Sequence, residues 1–276
     1  MRRSAAARVI RGMIAALIVI WSGFPILLLI AASFRPSNTL FDVPPRIFFH
    51  PTLENYTALW RDWPDFFHNL QNSFIIAGSA TVLTVVLSCA AGWVYSRFRS
   101  RFLTSSAFFM IFIRMFPPIV ITLPLFPVVN FLHLNDTHIV LILLYSAFYV
   151  SLGTWIMKTF IDEIPRELEE ACWIDGANAL QTIRHVTMPL AAPGAVSVAV
   201  FVSVFAWNEF LFAFIFTTSR AKTAPLVISE MLGSVTGVDW GAVFAAATIQ
   251  LVPALVFVIF VQRFLIAGLS AGGLKG

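Results

Sequence analysis

The sequence predicts an all-α integral membrane protein with six transmembrane helices, which form a single domain over residues 1–276. Of these residues, 59% are hydrophobic and only 12% are charged, and the mean hydropathy is +0.85. Soluble domains carry about 25% charged residues, so this composition excludes an ordinary soluble fold. Long apolar runs alternate with polar segments, and Arg and Lys residues gather at one set of run ends. These three features are typical of a multi-pass helical membrane protein.

The first predicted span covers residues 12–33 and follows four arginines, which are Arg2, Arg3, Arg8 and Arg11. A signal peptide has an apolar core of about 7–15 residues, whereas a spanning helix needs about 20. The length of this run favours a retained span, and cleavage near residues 31–33 is the weaker alternative. A polar, proline-containing segment over residues 34–70 follows it.

The next two spans are predicted at residues 72–96 and 105–130. The earlier one is rich in Ala, Gly and Ser, which allow helices to approach closely. The later one carries Arg114 and four prolines, which are Pro117, Pro118, Pro124 and Pro127. A helix with that many prolines must be kinked or broken.

Three further spans are predicted at residues 139–158, 194–218 and 242–264, which brings the number of predicted spans to six. Both termini then lie on one side of the membrane, together with 12 Lys and Arg residues against 5 on the other side. By the positive-inside rule, the termini and the segment between the fourth and fifth spans are cytoplasmic.

That segment, residues 161–193, is the most acidic part of the chain. Pro165 suits the first turn of a helix, and Gly176 is placed to end that helix in a left-handed conformation. Asn178 can cap a second helix, which Pro189 and Pro193 are predicted to stop before the fifth span. A solvated loop, whose charges only keep it out of the bilayer, is the alternative interpretation.

A spacing pattern in this segment resembles a known family. The segment resembles the EAA loop of ABC importer permeases, whose pattern is E-A-A, three residues, G, nine residues and then I-x-L-P. This chain has Glu170-Ala171-Cys172, three residues, Gly176, nine residues and then Val186-Thr187-Met188-Pro189. Four positions match it outright, and the departures at Cys172, Val186 and Met188 keep small or apolar side chains.

The resemblance implies the type I ABC importer permease fold and a loop, residues 161–192, that docks on a separate ATPase subunit. The implied coupling residues are Glu169, Glu170, Ala171, Asp175, Gly176, Ala177 and Pro189. It also implies a heteromer in the bacterial inner membrane, with a second homologous permease, two ATPase subunits and a periplasmic or surface solute-binding protein.

Both ends of the chain point to the carbohydrate branch of that family. Residues 33–60 resemble the first external loop of carbohydrate-type permeases, and the tail, residues 265–276, is similar to the end of the maltose-type subunit. This similarity implies import of a carbohydrate or polyol, and contacts from Gly272, Gly273 and Lys275 in the tail to the ATPases.

Polar groups inside the spans are candidates for the translocation pathway. Arg114 lies well inside its predicted span, where a central charge costs at least ~2.5 kcal/mol and usually has a function. Asn208 and Glu209 lie in the outer half of the fifth span and could line a path for a hydroxylated solute. The alternatives are a structural arginine, bonded to carbonyls freed by Pro117 and Pro118, and interhelical hydrogen bonds from Asn208 and Glu209.

The sequence contains no motif that predicts enzymatic activity. It contains no G-x-x-x-x-G-K-[ST] phosphate loop, no paired histidines spaced as metal ligands, and no catalytic constellation. We therefore expect no enzymatic activity, no metal and no cofactor in this chain, with ATP and Mg²⁺ bound by the partner ATPases. No basic stripe suggests nucleic-acid binding.

The alternative function is a stand-alone secondary transporter or channel. Such a protein predicts pseudo-symmetric halves and an ion-coupling carboxylate near the middle of the membrane. The halves of this sequence do not repeat, and Glu209 is the only acid within a predicted span.

Overall fold

The computed structural model describes residues 5–44, 48–234 and 237–272, and these residues contain helices and no strand. Its α-helices are, in chain order, α1 Ala5–Ser33, α2 Glu54–Asp62, α3 Asp65–Arg97, α4 Arg101–Arg114, α5 Pro118–Phe131, α6 His138–Asp162, α7 Arg166–Ile174, α8 Ala179–Thr182, α9 Met188–Trp207, α10 Leu211–Phe216, α11 Ala224–Leu232 and α12 Trp240–Gly272.

The described residues include five helices that are long and apolar enough to cross a membrane. They are Ile10–Ser33, Asp65–Arg97, His138–Asp162, Ala179–Trp207 and Trp240–Ile259. The pair α4 and α5 meets the same test only together, and it makes the sixth span when it is taken as one. The predicted all-α, multi-pass membrane fold is therefore confirmed.

The break in the third span lies where the prolines predicted it. Helices α4 and α5 meet at an angle of 100°, with Pro117 as the residue before α5 and Pro118 as its first residue. Proline cannot donate the backbone hydrogen bond that would continue α4, but it fits the first turn of a new helix. Each helix has 14 residues, or about 21 Å, which is too short to span alone.

The chain divides into two compact units, residues 1–67 with 227–252 and residues 68–226 with 253–276. In the first unit, Asn55 joins α2 to the end of α1. Its side-chain amide donates to the carbonyl oxygens of Ser33 at 2.8 Å and Arg35 at 2.7 Å, and it accepts from Ser37. A Cβ at Gly241 would overlap Asn55 and Ser37, so glycine is required there. The single domain over residues 1–276 stays a prediction.

The second unit has its core between α6 and α9. Small residues bring its helices together, as the Gly- and Ala-rich second span suggested. A Cβ added at Gly92 of α3 would lie 2.6 Å from Cβ of Met157 in α6, and one at Gly153 would lie 2.9 Å from Val198 in α9. The fully buried side chains of this core include Leu141, Tyr145, Met157, Ile161, Val198 and Val202.

Asp136, in the turn between α5 and α6, holds a second loop in place. Its carboxylate accepts hydrogen bonds of 3.0–3.2 Å from four consecutive backbone N–H groups, those of Thr218, Ser219, Arg220 and Ala221. Partial burial acts to raise the pKa of Asp136, but these N–H groups outweigh it and hold the pKa well below its usual range. The sequence offered no sign of this contact, because its partners lie 82 to 85 residues apart.

Replacing Asp136 by asparagine should destabilise the protein by about 2 kcal/mol at pH 7, since a charged acceptor of several hydrogen bonds is lost. The folded-state pKa is lowered, so the carboxylate stabilises the fold above its unfolded pKa of about 3.9 and loses that effect as pH falls below it. In detergent, Asp136→Asn should melt at a lower temperature than the wild type at pH 7, and this difference in melting temperature should shrink towards pH 3. Asp175→Asn, at an exposed position, is the matched control. A difference in melting temperature that does not change with pH would show that the charge of the Asp136 carboxylate is not its cause.

Candidate functional site

The acidic segment folds as two short helices that meet at Gly176, as predicted. Gly176 has φ +87°, the left-handed conformation that favours glycine. Its N–H donates to the carbonyl of Trp173 at 3.1 Å, and the next N–H, of Ala177, donates to the carbonyl of Cys172 at 2.9 Å. This pair of bonds is the Schellman motif, which closes the C-terminus of α7 and sets the direction of the chain after it.

Asn178 caps α8, also as predicted. Its side chain accepts from the N–H of Gln181 at 2.9 Å, and the Gln181 side chain accepts from the N–H of Asn178 at 2.8 Å. This reciprocal capping box satisfies two N–H groups that would otherwise be unpaired. Both sides of the Gly176 turn are therefore fixed by local hydrogen bonds.

The prediction that Pro189 and Pro193 stop the second helix is wrong. A π-helical turn, Ile183–Thr187, joins α8 to α9, so one candidate span runs from Ala179 to Trp207. Pro189 lacks an N–H, and its ring would clash with the carbonyl four residues earlier in a regular α-helix. The wider π turn lies at that carbonyl and accommodates the ring, so the chain remains helical through Pro193.

Glu169 lies inside the segment and not on its surface. Its side chain is 2% exposed, and its Oε2 lies 2.9 Å from Nε of Arg97, whose side chain is 8% exposed. The other carboxylate oxygen accepts from the hydroxyl of Thr187 at 2.6 Å, and Arg97 also donates to the carbonyl of Ile164. These bonds connect α7 to the end of α3 and to the π turn.

The other predicted coupling residues lie at or near the surface. Five of them are exposed and Ala177 is half-buried; the exposed ones are Glu170, Ala171, Asp175, Gly176 and Pro189. Their assignment to ATPase coupling stays a prediction, as does that of Glu169.

Three apolar side chains that the sequence analysis did not select surround the Gly176 turn. Ile174 is 87% exposed, Leu180 73% and Trp173 47%. We call these three residues the apolar tip. The sequence signal was a Trp-Ile pair directly before the predicted helix end, in a segment too charged to lie in the bilayer.

Arg114 is the last residue of α4, at the break before α5. Its Nη1 is buried without a hydrogen-bond partner among the described residues, and its guanidinium carbon lies 5.7 Å from the ring centre of Phe148. Nη1 thus forms no bond to the carbonyls near Pro117 and Pro118, and the choice between a pathway role and a structural role for Arg114 stays a prediction.

Asn208 and Glu209 lie in the break between α9 and α10. The Asn208 amide donates to the carbonyl of Val204 at 2.8 Å, and the Glu209 carboxylate accepts from the N–H of Phe212 at 2.8 Å. Phe212 packs edge-on against Phe148, the ring beneath Arg114. The structure therefore brings Arg114 and Glu209 to one aromatic cluster, although their place on a pathway stays a prediction.

Among the tail residues, Gly272 is the last residue of α12, while Gly273 and Lys275 lie outside the described residues. In the part of the chain that the structure describes, no group of three His, Cys, Asp or Glu residues is arranged to hold a metal ion.

Residues 84–270, which include the acidic segment and most of α12, match the model of a family described as the binding-protein-dependent transport system inner membrane component. The chain belongs to this family. The resemblance to ABC importer permeases is thereby confirmed. A stand-alone secondary transporter or channel does not fit a family of components of binding-protein-dependent systems.

Two relatives are similar to the chain over nearly their whole length. The trehalose/maltose transport system permease protein MalG of Thermococcus litoralis is 34% identical over 100% of both chains. The trehalose transport system permease protein SugB of Mycobacterium tuberculosis is 36% identical over 94% of this chain and 95% of its own.

A solved structure confirms the fold. A chain in the crystal structure of a bacterial ABC transporter, involved in the import of the acidic polysaccharide alginate, superposes with a TM-score of 0.77. The match covers 95% of this chain and 99% of that one, at 19% identity. The type I ABC importer permease fold is the one that the EAA loop implied.

Proposed function

We propose that this permease carries a carbohydrate or polyol across the bacterial inner membrane, driven by partner ATPase subunits that dock on the loop of residues 161–192. The observation that carries the proposal is the construction of that loop. Local bonds fix its turn, the buried Glu169 holds α7 to α3, and the apolar tip is left exposed.

The apolar tip supports a protein partner for this loop. A side chain such as Ile174, 87% exposed on a polar loop, gains free energy when a partner covers it, and such residues are typical anchors of interfaces. Glu170 and Asp175 are exposed on the same loop and can pair with basic residues at the rim of a groove. A fixed turn with an apolar tip can transmit movement because it moves as one piece.

The remaining partners follow from the family and from the chemistry of the chain. A second homologous permease would complete the pore, two ATPases would bind ATP and Mg²⁺, and an external binding protein would deliver the solute. In this proposal the permease has no enzymatic activity and no cofactor of its own, and its termini and residues 161–192 face the cytoplasm. The names of the relatives, for trehalose and maltose systems, favour a small oligosaccharide.

Arg114, Asn208 and Glu209 are proposed to line the translocation pathway, because two of them border the same aromatic cluster at helix breaks. The tail residues Gly272, Gly273 and Lys275 are proposed to reach the ATPases.

The test is reconstitution of the tagged permease with the second permease, the ATPase subunits and the binding protein of the same transport system. We expect ATP hydrolysis and uptake that require the binding protein and respond to trehalose, maltose or a polyol, and that do not respond to amino acids. Uptake without ATP or without the binding protein would contradict the proposal.

Gly176 provides a graded test of the turn. A Cβ at Gly176 would meet nothing within 4 Å, so Gly176→Ala is penalised only by its positive φ, by roughly 1–2 kcal/mol. Asparagine tolerates that conformation better than alanine or valine. Uptake should therefore fall in the order Gly, Asn, Ala, Val while the membrane level of the protein stays constant. Equal uptake by all four would show that the turn geometry does not matter.

A further inference from the structure

A cavity of about 830 Å³ opens between the C-terminal ends of α3 and α6 and the N-terminal ends of α4 and α7. Its volume is in the range of ligand sites, about 300–1,000 Å³. It lies at the same end of the spans as the loop of residues 161–192. The coupling role of that loop makes no use of it.

Two of the four cations that line the cavity are already matched by carboxylates. Arg97 is paired with Glu169, as described above, and Nζ of Lys158 lies 2.5 Å from Oδ2 of Asp162. These pairs leave the local charge close to neutral on one side of the cavity.

The other two cations give the cavity an excess of positive charge. Arg166 donates through Nη2 to the carbonyl oxygens of Ser96 at 3.1 Å and Arg97 at 3.3 Å, which orient the guanidinium without neutralising it. Arg99 is exposed at the rim. Glu167 is the one further acid in the lining, so Arg99 and Arg166 together can attract an anion.

The part of the lining that belongs to α4 is mostly apolar, and we call it the apolar wall. Leu103, Ala107 and Phe108 line it, and the Phe108 ring is 67% exposed. A hydrogen bond of 2.9 Å between the hydroxyls of Tyr95 and Ser106 holds α3 to α4 beside the wall. Trp155, near the end of α6, also lines the cavity, and tryptophan is enriched at membrane interfaces.

We propose that this cavity binds an anionic phospholipid, with its phosphate at Arg99 and Arg166 and an acyl chain along Leu103 and Phe108. Basic pockets between spans suit anionic headgroups, and the apolar wall on a membrane-spanning helix suits the acyl chain. A soluble phosphate ester shares the phosphate chemistry but would not use Phe108. The apolar wall thus favours a lipid over a soluble anion.

The test titrates the purified full-length chain in detergent with phosphatidylglycerol or phosphatidylcholine of the same acyl chains, and counts bound lipids by native mass spectrometry. Arg99→Gln should weaken phosphatidylglycerol binding about fivefold, as expected for one cation near a headgroup. Arg101→Gln removes the same charge outside the cavity and should leave binding unchanged. Phe108→Ser should weaken binding as well, whereas Phe109→Ser, at a neighbouring exposed ring outside the lining, should not.

Three results would overturn the proposal. Equal losses in Arg99→Gln and Arg101→Gln would indicate diffuse attraction to surface charge. Displacement of phosphatidylglycerol by glycerol phosphate, together with no effect of Phe108→Ser, would identify a soluble-anion site. Equal binding of the two lipids would show that the cations are not used.

Discussion

Glu169→Ala is expected to destabilise the permease by about 3–5 kcal/mol, because it leaves the buried guanidinium of Arg97 without its counter-charge. The hydroxyl of Thr187 loses its acceptor in the same step. Every 1.4 kcal/mol changes an equilibrium constant tenfold, so the population with α7 detached from α3 should rise by roughly 100-fold to 4,000-fold. The purified chain should unfold at a lower temperature and be cleaved more readily by trypsin near Arg166.

Glu170→Ala is the matched control, since it removes the same side chain from the next position, where it is exposed. It should leave the melting temperature of the isolated permease unchanged. The double variant Arg97→Met with Glu169→Leu should recover part of the loss, because apolar replacement of a buried pair is often neutral, whereas the hydroxyl of Thr187 still lacks its acceptor.

This experiment also separates two roles for Glu169. If Glu169 acted by direct contact with an ATPase, Glu169→Ala would weaken assembly and leave the isolated permease as stable as the wild type. A lower melting temperature without any partner present would assign Glu169 to the internal structure of the loop.

Ile174→Asp should abolish productive docking of the ATPases without destabilising the isolated chain. Ile174 is 87% exposed, so its replacement disturbs little internal packing. In a partner's groove, an aspartate there would be desolvated, and central interface residues contribute 2 kcal/mol or more, which is about thirtyfold in affinity. We expect loss of co-purification with the ATPase subunits and loss of uptake.

Val43→Asp supplies the control, because Val43 is a β-branched residue that is 93% exposed in the loop after α1. It should not affect assembly or uptake. Leu180→Asp, on the other side of the Gly176 turn, should act like Ile174→Asp. Normal assembly and uptake in both tip variants would show that the apolar tip is not part of the interface with the ATPases.

Features that depend on residues close in the chain were determined by the sequence itself. The break at Pro117 and Pro118 follows from a missing N–H, and the Gly176 turn with its Asn178 cap needs only a few neighbouring residues. The membrane spans follow from hydropathy over about 20 residues. Each of these signals lies within one segment, so no knowledge of the packing was required.

The tertiary structure alone decided which way the side chains of the acidic segment face. Glu169 and Glu170 are adjacent and chemically identical, yet one is buried against Arg97, 72 residues away, and the other faces water. Asp136 finds its N–H groups more than 80 residues away in the same manner. These outcomes rest on how helices distant in the chain pack together, and no local pattern carries that information.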